Sequence, residues 1–366
     1  MMTIESILEI LRDVIDPDSG KNVVRRGWIR DLKVEGHTVS FTILLQDPTV
    51  PFASKVRGVC EQALKSAFPE ADLRIEQDSP MIGLGNGLTI DGQSQKKGPG
   101  EGVTNIIAVA SGKGGVGKST VSSNLAVALA SQGYAVGLAD VDIYGPSIPT
   151  MFGLQEAKPS VNAERRIIPL EKFGVKLLSM GFLVDPEKAV IWRGPMVTSA
   201  VQQFLGDTEW GELDFLILDL PPGTGDIQLT IVQTVPLSGA VIVSTPQRVA
   251  LADARKGVGM FDQVEVPVLG VVENMAYFTP PELPENKYYL FGQGGARALA
   301  EELDVHFLGE VPLIEAIRTN ADDGTPIVTD PSEAASGIFD HIATDLVNQV
   351  EQRNALRPAT QKIEIS

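Results

Sequence analysis

The stretch VASGKGGVGKST, Val109 to Thr120, decides how this chain folds. Its residues Gly112 to Ser119 match the pattern G-x-x-x-x-G-K-[ST], a glycine-rich loop between a β-strand and an α-helix. The flanks agree, because the apolar run TNIIAVAS precedes the loop and the amphipathic pattern STVSSNLAVALASQG follows it. A loop of this kind binds phosphate, since glycines let backbone N–H groups approach the anion and the helix N-terminus adds partial positive charge.

We expect the whole loop to contact a nucleotide. The predicted set is Gly112, Lys113, Gly114, Gly115, Val116, Gly117, Lys118, Ser119 and Thr120. In this pattern Lys118 reaches the β- and γ-phosphates, and the Ser119 hydroxyl binds Mg²⁺. A chance glycine-rich turn is the alternative, and the acidic residues farther along the chain argue against it.

Three acidic residues follow apolar strands. LADVDIYGPS places Asp140 and Asp142 after the second strand of this region, and FLILDLPPGTGD ends a strand at Asp219. Ligands of open α/β sheets bind at the carboxyl edge of the strands. We therefore predict a Mg²⁺ shell of Ser119, Asp140 and Asp219, with Asp142 orienting the attacking water. A buried structural aspartate is the alternative at each position.

The second lysine of the loop, Lys113, is not needed to neutralise its own phosphates. We interpret it as a residue that reaches across a dimer interface to the partner's nucleotide, in the way an arginine finger does. A solvated lysine is the alternative. The predicted catalytic set is Lys113, Lys118 and Asp142, in an ATP-linked homodimer.

Composition excludes several functions. The 366 residues carry a formal net charge of −17 with no basic cluster longer than a pair, which argues against binding nucleic acid or anionic membranes. Apolar runs such as FLILDL are much shorter than the ~20 residues of a membrane-spanning helix. The single cysteine, Cys60, predicts a reducing, cytoplasmic setting, and the three histidines lack metal-ligand spacing.

Composition also divides the chain. We expect a small α+β domain over residues 1–78, ordered helix, hairpin, helix, strand, and a Gly/Ser-rich linker over 79–102. Residues 103–350 alternate apolar strands with helices, which predicts an α/β domain with a mostly parallel sheet covered on both faces. Residues 351–366 are a polar tail.

Several segments resemble known families. KGGVGKST resembles the deviant Walker A loop of MinD/ParA-like ATPases, which belong to the SIMIBI-type P-loop NTPases. Six further segments resemble the Mrp/ApbC family of iron–sulfur cluster carrier ATPases and occur in the same order as in that family. They are ADVDIYGPSIP, WRGPM, DLPPGTGD, STPQRVALADARKG, VVENMAYF and YLFGQGGARALAEEL. That match runs from about Thr104 to Val328. The N-terminal segment resembles the MIP18-like domain that precedes this ATPase in many relatives.

The resemblance implies ATP hydrolysis with Mg²⁺ and transfer of a [4Fe-4S] cluster to apoproteins or other assembly proteins. It also implies that Asn274 contacts the adenine and that the segment after Pro312 flanks the base. Gln247 and Asp253 lie in a family-typical loop and helix, with no chemistry of their own to assign.

The chain departs from the family at the cluster site. Carriers of this family typically have a Cys-Pro-x-Cys pair after ENM, where this chain has Pro280 and Leu283, and Val50 stands near a further family cysteine. A fully cysteine-ligated [4Fe-4S] cluster needs four thiolates, whereas a symmetric dimer supplies two, both Cys60.

Three interpretations stay open: an ATPase that serves other cluster proteins, weak cluster binding through Cys60 with outside ligands, or the same switch used for another task. A MinD/ParA-type positioning ATPase and a nucleotide-binding oxidoreductase are the alternatives from other classes.

Overall fold

The computed structural model describes residues 2–15, 20–44, 53–78, 100–164, 166–183, 194–280, 282–283 and 285–356. The chain divides into two compact units, residues 1–92 and 93–366, and each is described by itself. Most of the predicted linker, the end of the predicted tail, Val50 and the first residues of WRGPM lie outside the described residues. The predicted domain boundaries stay predictions.

The first unit has the predicted order of helix, hairpin, helix and strand. Its elements are α1 (Ile4–Leu11), β1 (Ile29–Glu35), β2 (Thr38–Leu44), α2 (Ala53–Ala67) and β3 (Asp72–Asp78). The strands lie in the order β1-β2-β3, with β1 antiparallel and β3 parallel to β2. Gly36 turns the hairpin with a φ of 61°, in the left-handed region that glycine adopts without strain.

The core of this unit contains the single cysteine. Cys60 is fully buried among Ile7, Leu11, Trp28 and Phe41, which α1, the following loop and β2 contribute. Burial raises the pKa of the Cys60 thiol to about 12. This thiol therefore behaves as a small hydrophobic side chain at neutral pH.

The second unit is built on an eight-stranded sheet. Its strands are β4 (Val103–Ala110), β5 (Val136–Asp140), β8 (Leu170–Lys172), β9 (Val175–Ser179), β10 (Leu213–Asp219), β11 (Gly239–Ser244), β12 (Val268–Phe278) and β13 (Phe307–Leu313). The order is β13-β12-β11-β4-β10-β5-β9-β8. All neighbours pair in parallel except β8, which runs antiparallel to β9 at the edge.

Helices cover this sheet. They are α3 (Lys118–Ser131), α4 (Ile148–Met151), α5 (Met180–Leu183), α6 (Gly194–Gly206), α7 (Asp226–Thr234), α8 (Arg248–Gln263), α9 (Gly295–Glu302), α10 (Glu315–Asp322) and α11 (Ala334–Leu356). Ile107 and Val109 of β4 pack with Leu125 of α3 and Phe339 of α11. Because alternate residues of β4 such as Ile106 are buried as well, both faces of the sheet are covered, as predicted.

The sheet gathers the predicted site at one edge. In the pairing of β10 with its neighbours, Asp219 lies opposite Asp140 on β5 and Val109 on β4. The glycine-rich loop follows β4 directly, and α3 begins at Lys118. Parallel pairing thus brings the loop and both aspartates to the carboxyl edge, where α/β sheets bind ligands.

Three features differ from the sequence expectation or add to it. The edge strand β8 and a short antiparallel ladder of β6 (Ser160–Val161) with β7 (Ile167–Ile168) were not predicted, because two- and three-residue strands carry too little periodicity. Helix α11 continues to Leu356, past the expected boundary at residue 350. Among the described residues, no helix is long and apolar enough to cross a membrane.

Candidate nucleotide-binding site

A cavity of about 220 Å³ lies over the glycine-rich loop. Its walls come from the loop and from three other segments. They are Ser111, Lys113, Gly114, Gly115, Val116, Gly117, Lys118, Ser119, Thr120, Asp142, Ser147, Met151 and Pro222. Every predicted loop residue except Gly112 lines this cavity, together with Asp142.

Glycine is required in the loop for two different reasons. A Cβ added to Gly112 would lie 2.2 Å from the backbone carbonyl carbon of Asp253 in α8, so the two backbones approach too closely for any side chain. Gly115 and Gly117 both have a φ of 80°, which other residues rarely adopt. A Cβ on Gly117 would also meet the side-chain amide of Asn274 at 2.1 Å.

A buried ion pair closes the base of the cavity. Lys118 Nζ lies 2.7 Å from Asp219 Oδ1, and the two side chains are 5% and 0% exposed. Ser122 Oγ donates to the same oxygen at 2.6 Å, and Ser119 Oγ donates to Asp219 Oδ2 at 2.6 Å. Asp219 therefore holds both residues that were predicted to meet the phosphate and the magnesium. Sequence reasoning missed Ser122, although it lies one helical turn after Lys118.

Asp140 does not line this cavity. Its carboxylate is fully buried and accepts hydrogen bonds from the backbone N–H groups of Asp142, Ser147 and Ile148 at 3.1, 3.1 and 3.2 Å, and from Ser179 Oγ at 2.9 Å. Burial, with a smaller contribution from the Asp219 charge, raises the pKa of Asp140 to about 7, although Lys118 opposes the shift. Asp140 thus holds the loop that follows β5.

Asp142 lines the cavity and is only 6% exposed. Its Oδ1 accepts hydrogen bonds from the backbone N–H groups of Tyr144 and Gly145 at 3.2 and 3.1 Å. Burial raises the pKa of this carboxyl group, while the Lys118 charge and the two backbone donors lower it. The two backbone donors and the Lys118 charge favour the ionised carboxylate of Asp142, which lines the cavity.

Asn274 and Pro312 come close together but neither lines the cavity. Asn274 pairs in the sheet with Val311, the residue before Pro312, and both Asn274 and Pro312 are buried. The Asn274 amide donates to the backbone carbonyl of Val116 at 2.8 Å, so it braces the glycine-rich loop. The contact with adenine that the resemblance implies stays a prediction.

Lys113 lines the cavity of its own chain and is half-buried. Its backbone carbonyl accepts a hydrogen bond from Ser111 Oγ at 2.9 Å. In the part of the chain that the structure describes, no hydrogen bond or ion pair of its ammonium group is recorded. Gln247 precedes α8 as its N-cap without a side-chain capping bond, and Asp253 pairs with Lys256 on the surface of that helix.

The segment Pro221–Gln228 follows Asp219, and its residue Pro222 lines the cavity. Gln228 is 2% exposed; its Nε2 donates to the Pro221 carbonyl at 2.5 Å, and its Oε1 accepts from the Gly225 N–H at 3.0 Å. The Gly223 N–H donates to the Ser111 carbonyl at 2.9 Å. Gln228 thus ties both ends of a short loop, a role that its position in the sequence did not indicate.

The described residues contain no group of three or more His, Cys, Asp or Glu side chains that could hold a metal ion. Where relatives were expected to carry a cysteine pair, Pro280 is half-buried and Leu283 is 49% exposed. Contacts other than metal ligation hold the residues around this segment. The backbone of Phe278 pairs with that of Tyr288, and Lys287 Nζ lies 3.9 Å from the ring centre of Tyr277.

The loop, the buried lysine and the mostly parallel sheet define the class of protein as a P-loop NTPase. The septum site-determining protein MinD of Pyrococcus horikoshii OT3, solved with Mg-ADP, has the same fold, with a TM-score of 0.51 and 22% identity over 68% of this chain and 98% of that one. The predicted fold class is confirmed.

The chain belongs to the ParA family, described as NUBPL iron-transfer P-loop NTPases, which residues 102–347 match. Residues 4–76 match a second family, described as iron-sulfur cluster assembly proteins. The iron-sulfur cluster carrier protein of Synechocystis sp. is 48% identical over 92% of this chain and 94% of its own length.

A nucleotide-binding protein from Archaeoglobus fulgidus, solved in complex with ADP, is 42% identical over 64% of this chain and 91% of that one, with a TM-score of 0.57. The resemblance drawn from the motifs is therefore confirmed at the level of the family.

Proposed function

We propose that this protein is a Mg²⁺-dependent ATPase that assists the transfer of iron–sulfur clusters to apoproteins. The observation that carries the proposal is the cavity over the glycine-rich loop, in which the loop backbone, Lys118, Ser119 and Asp142 face one space. The names of its relatives support the cluster role, and the ADP complex of the archaeal relative supports the nucleotide.

The residues present fit a magnesium ion that arrives with the nucleotide. The Ser119 hydroxyl donates a hydrogen bond to Asp219 at 2.6 Å, which leaves the oxygen lone pairs of Ser119 available to a cation. Mg²⁺ takes oxygen ligands and retains several waters, so one hydroxyl and one carboxylate beside the phosphates suffice. We assign Ser119 and Asp219 to this shell. The contacts of Asp140 support a different role, in which it holds the Asp142–Ile148 loop from below.

Binding of the triphosphate requires Lys118 to exchange partners. In the structure its ammonium group lies 2.7 Å from Asp219, in a pocket with almost no solvent exposure. A phosphate oxygen offers Lys118 a second anionic partner, and Asp219, which also accepts hydrogen bonds from Ser119 and Ser122, would then be free of the lysine charge to hold a magnesium ion. Magnesium bound there supplies charge stabilisation for phosphoryl transfer.

Asp142 is the residue we assign to the attacking water. Its carboxylate is fixed by two backbone donors, and Lys118 favours its charged form. It orients the water and accepts its proton as the oxygen attacks the γ-phosphorus. The bond from that phosphorus to the β–γ bridging oxygen breaks, which gives ADP and inorganic phosphate.

Hydrolysis is coupled to assembly through Lys113. Since the described chain offers this half-buried cation no anionic partner, we propose that it stabilises the nucleotide of a second copy in an ATP-bound homodimer. ATP and ADP then differ in what they contribute to the dimer interface, and that difference drives the conformational change.

The ligands of the cluster come from outside this chain. The chain has one cysteine, and Cys60 lies in a closed core with its pKa raised to about 12. Forming a thiolate in this core costs free energy, and a buried sulfur cannot contact a cluster that a partner protein presents. We therefore propose that partner proteins hold the cluster in transit while this ATPase drives its release.

An anaerobic transfer assay tests the proposal. A scaffold protein preloaded with a [4Fe-4S] cluster is mixed with an apo-enzyme that becomes active on receiving that cluster, and the activation is followed with MgATP, with MgADP or without nucleotide. We expect this protein to accelerate activation with MgATP only, equally in Cys60→Ala and much less in Lys113→Ala.

Activation that is independent of nucleotide, or lost in Cys60→Ala, contradicts this account. ATP hydrolysis without any transfer favours the alternative of a MinD/ParA-type switch that holds no cluster.

A further inference from the structure

The hydroxyl group of Ser147 is left without a partner beside the nucleotide cavity. Ser147 Oγ is buried and makes no hydrogen bond with any described residue. Ser147 is also one of the residues that line the cavity over the glycine-rich loop. Buried polar groups in native proteins almost always have a hydrogen-bond partner, so an exception beside a ligand cavity points to a partner in the ligand.

A structural role for this hydroxyl does not explain it. Ser147 is the residue before α4, a position where serine side chains commonly cap the helix, yet it makes no side-chain capping bond. The backbone of Ser147 is nevertheless held firmly, because its N–H and that of Ile148 both donate to the buried carboxylate of Asp140. The fold thus fixes the position of this residue while leaving its hydroxyl unused.

The place of Ser147 in the cavity indicates which part of a nucleotide it meets. The cavity is lined by the glycine-rich loop, including Lys118, and by Asp142, Ser147 and Pro222, which come from other segments of the chain. Glycine-rich loops of this kind wrap the α- and β-phosphates. The group that ATP has and ADP lacks is the terminal phosphate, whose oxygens accept strong hydrogen bonds.

We propose that the Ser147 hydroxyl donates a hydrogen bond to the terminal phosphate of a bound nucleoside triphosphate, and so makes the site distinguish triphosphate from diphosphate. This inference rests on the proposed nucleotide function and adds a binding residue to it. Asp140 is then the positioning residue for Ser147, through the two backbone N–H groups that it holds.

Calorimetric titration of the full chain with Mg-AMPPNP and with MgADP tests the inference, because AMPPNP keeps a terminal phosphate and is not hydrolysed. The variant is Ser147→Ala, and the matched control is Thr150→Ala, which removes an exposed hydroxyl in α4, three residues after Ser147, that does not line the cavity. We expect Ser147→Ala to bind Mg-AMPPNP at least about tenfold more weakly, as the loss of a hydrogen bond to a charged group predicts. Its MgADP affinity stays within about twofold of wild type.

Two outcomes overturn the inference: equal weakening of both nucleotides by Ser147→Ala, which indicates a general structural role, or no weakening of either. Thr150→Ala is expected to bind both as the wild type does. A wild-type protein that binds neither nucleotide contradicts the proposed function itself, and is thereby distinguished from failure of the Ser147 assignment alone.

Discussion

The buried pair of Lys118 and Asp219 makes a stability prediction that needs no nucleotide. Replacing Lys118 with Met or Asp219 with Asn leaves one charge without its partner in a pocket where the two side chains are 5% and 0% exposed. Breaking a buried pair in this way costs about 3–5 kcal/mol. For a unit of this size that corresponds to a fall in melting temperature of roughly 6–20 °C.

Differential scanning calorimetry measures the effect. Unfolding enthalpy scales with chain length, so the larger endotherm belongs to the unit of residues 93–366. The double variant Lys118→Met/Asp219→Asn carries no unpaired charge, so we expect it to lose less than the sum of the two single variants.

The exposed pair of Arg318 and Asp322 is a matched control, because its charged atoms are also 2.7 Å apart but its side chains are 64% and 63% exposed. Removing either partner there is expected to cost less than about 1 kcal/mol. Additive losses at Lys118 and Asp219, or losses no larger than those of the exposed pair, would show that the two buried charges do not stabilise each other.

We also expect the stability lost in Lys118→Met to depend on pH. The pKa of Asp140 is about 7 in the folded protein against 3.8 as its ordinary value, so between these pH values the folded state holds a proton that the unfolded state has released. Stability from this group therefore falls as pH rises through that window. Since the Lys118 charge lowers the pKa of Asp140, Lys118→Met enlarges the effect, and its loss of stability should be greater at pH 8 than at pH 5. An equal loss at both pH values contradicts the coupling.

Two further predictions concern the loops around the cavity. Gly112→Ala should destabilise the protein by about 3 kcal/mol, because the new Cβ meets the backbone of Asp253. Gly115→Ala should cost about 1–2 kcal/mol, since its Cβ has open space and only the positive φ is strained. Equal melting temperatures for the two variants would argue against this distinction. Gln228→Met removes both anchors of the loop at Pro221 and Gly225, so amide hydrogen exchange over residues 223–225 should accelerate about tenfold while that of β4 stays unchanged. Unaltered exchange in that loop would mean that Gln228 does not hold it.

Most of the fold could be predicted because its strands are long, continuously apolar and followed by clear helical patterns. The loop residues and Asp142 could be predicted as well, since the motif specifies their order and the parallel sheet brings them to one edge. The short strands β6, β7 and β8 could not, because two or three residues carry no period.

The sequence placed both acids of the ADVD segment at the phosphate site, whereas only Asp142 lines the cavity. Asp140 and Asp142 are two residues apart in the chain, but the first faces the backbone of its own loop and the second faces the cavity. Gln228 and Ser147 were missed for a related reason. Their roles depend on backbone groups brought close only by the folded loops, and no local pattern marks a glutamine or serine for that purpose.

The proposed function requires that the cavity over the glycine-rich loop binds a triphosphate through Lys118. Calorimetric titration of the wild-type protein and of Lys118→Ala with Mg-AMPPNP measures this binding. We predict saturable binding of one nucleotide per chain by the wild type and loss of that binding in Lys118→Ala. A wild-type protein that shows no binding, or a Lys118→Ala protein that binds as tightly as the wild type, would contradict the claim.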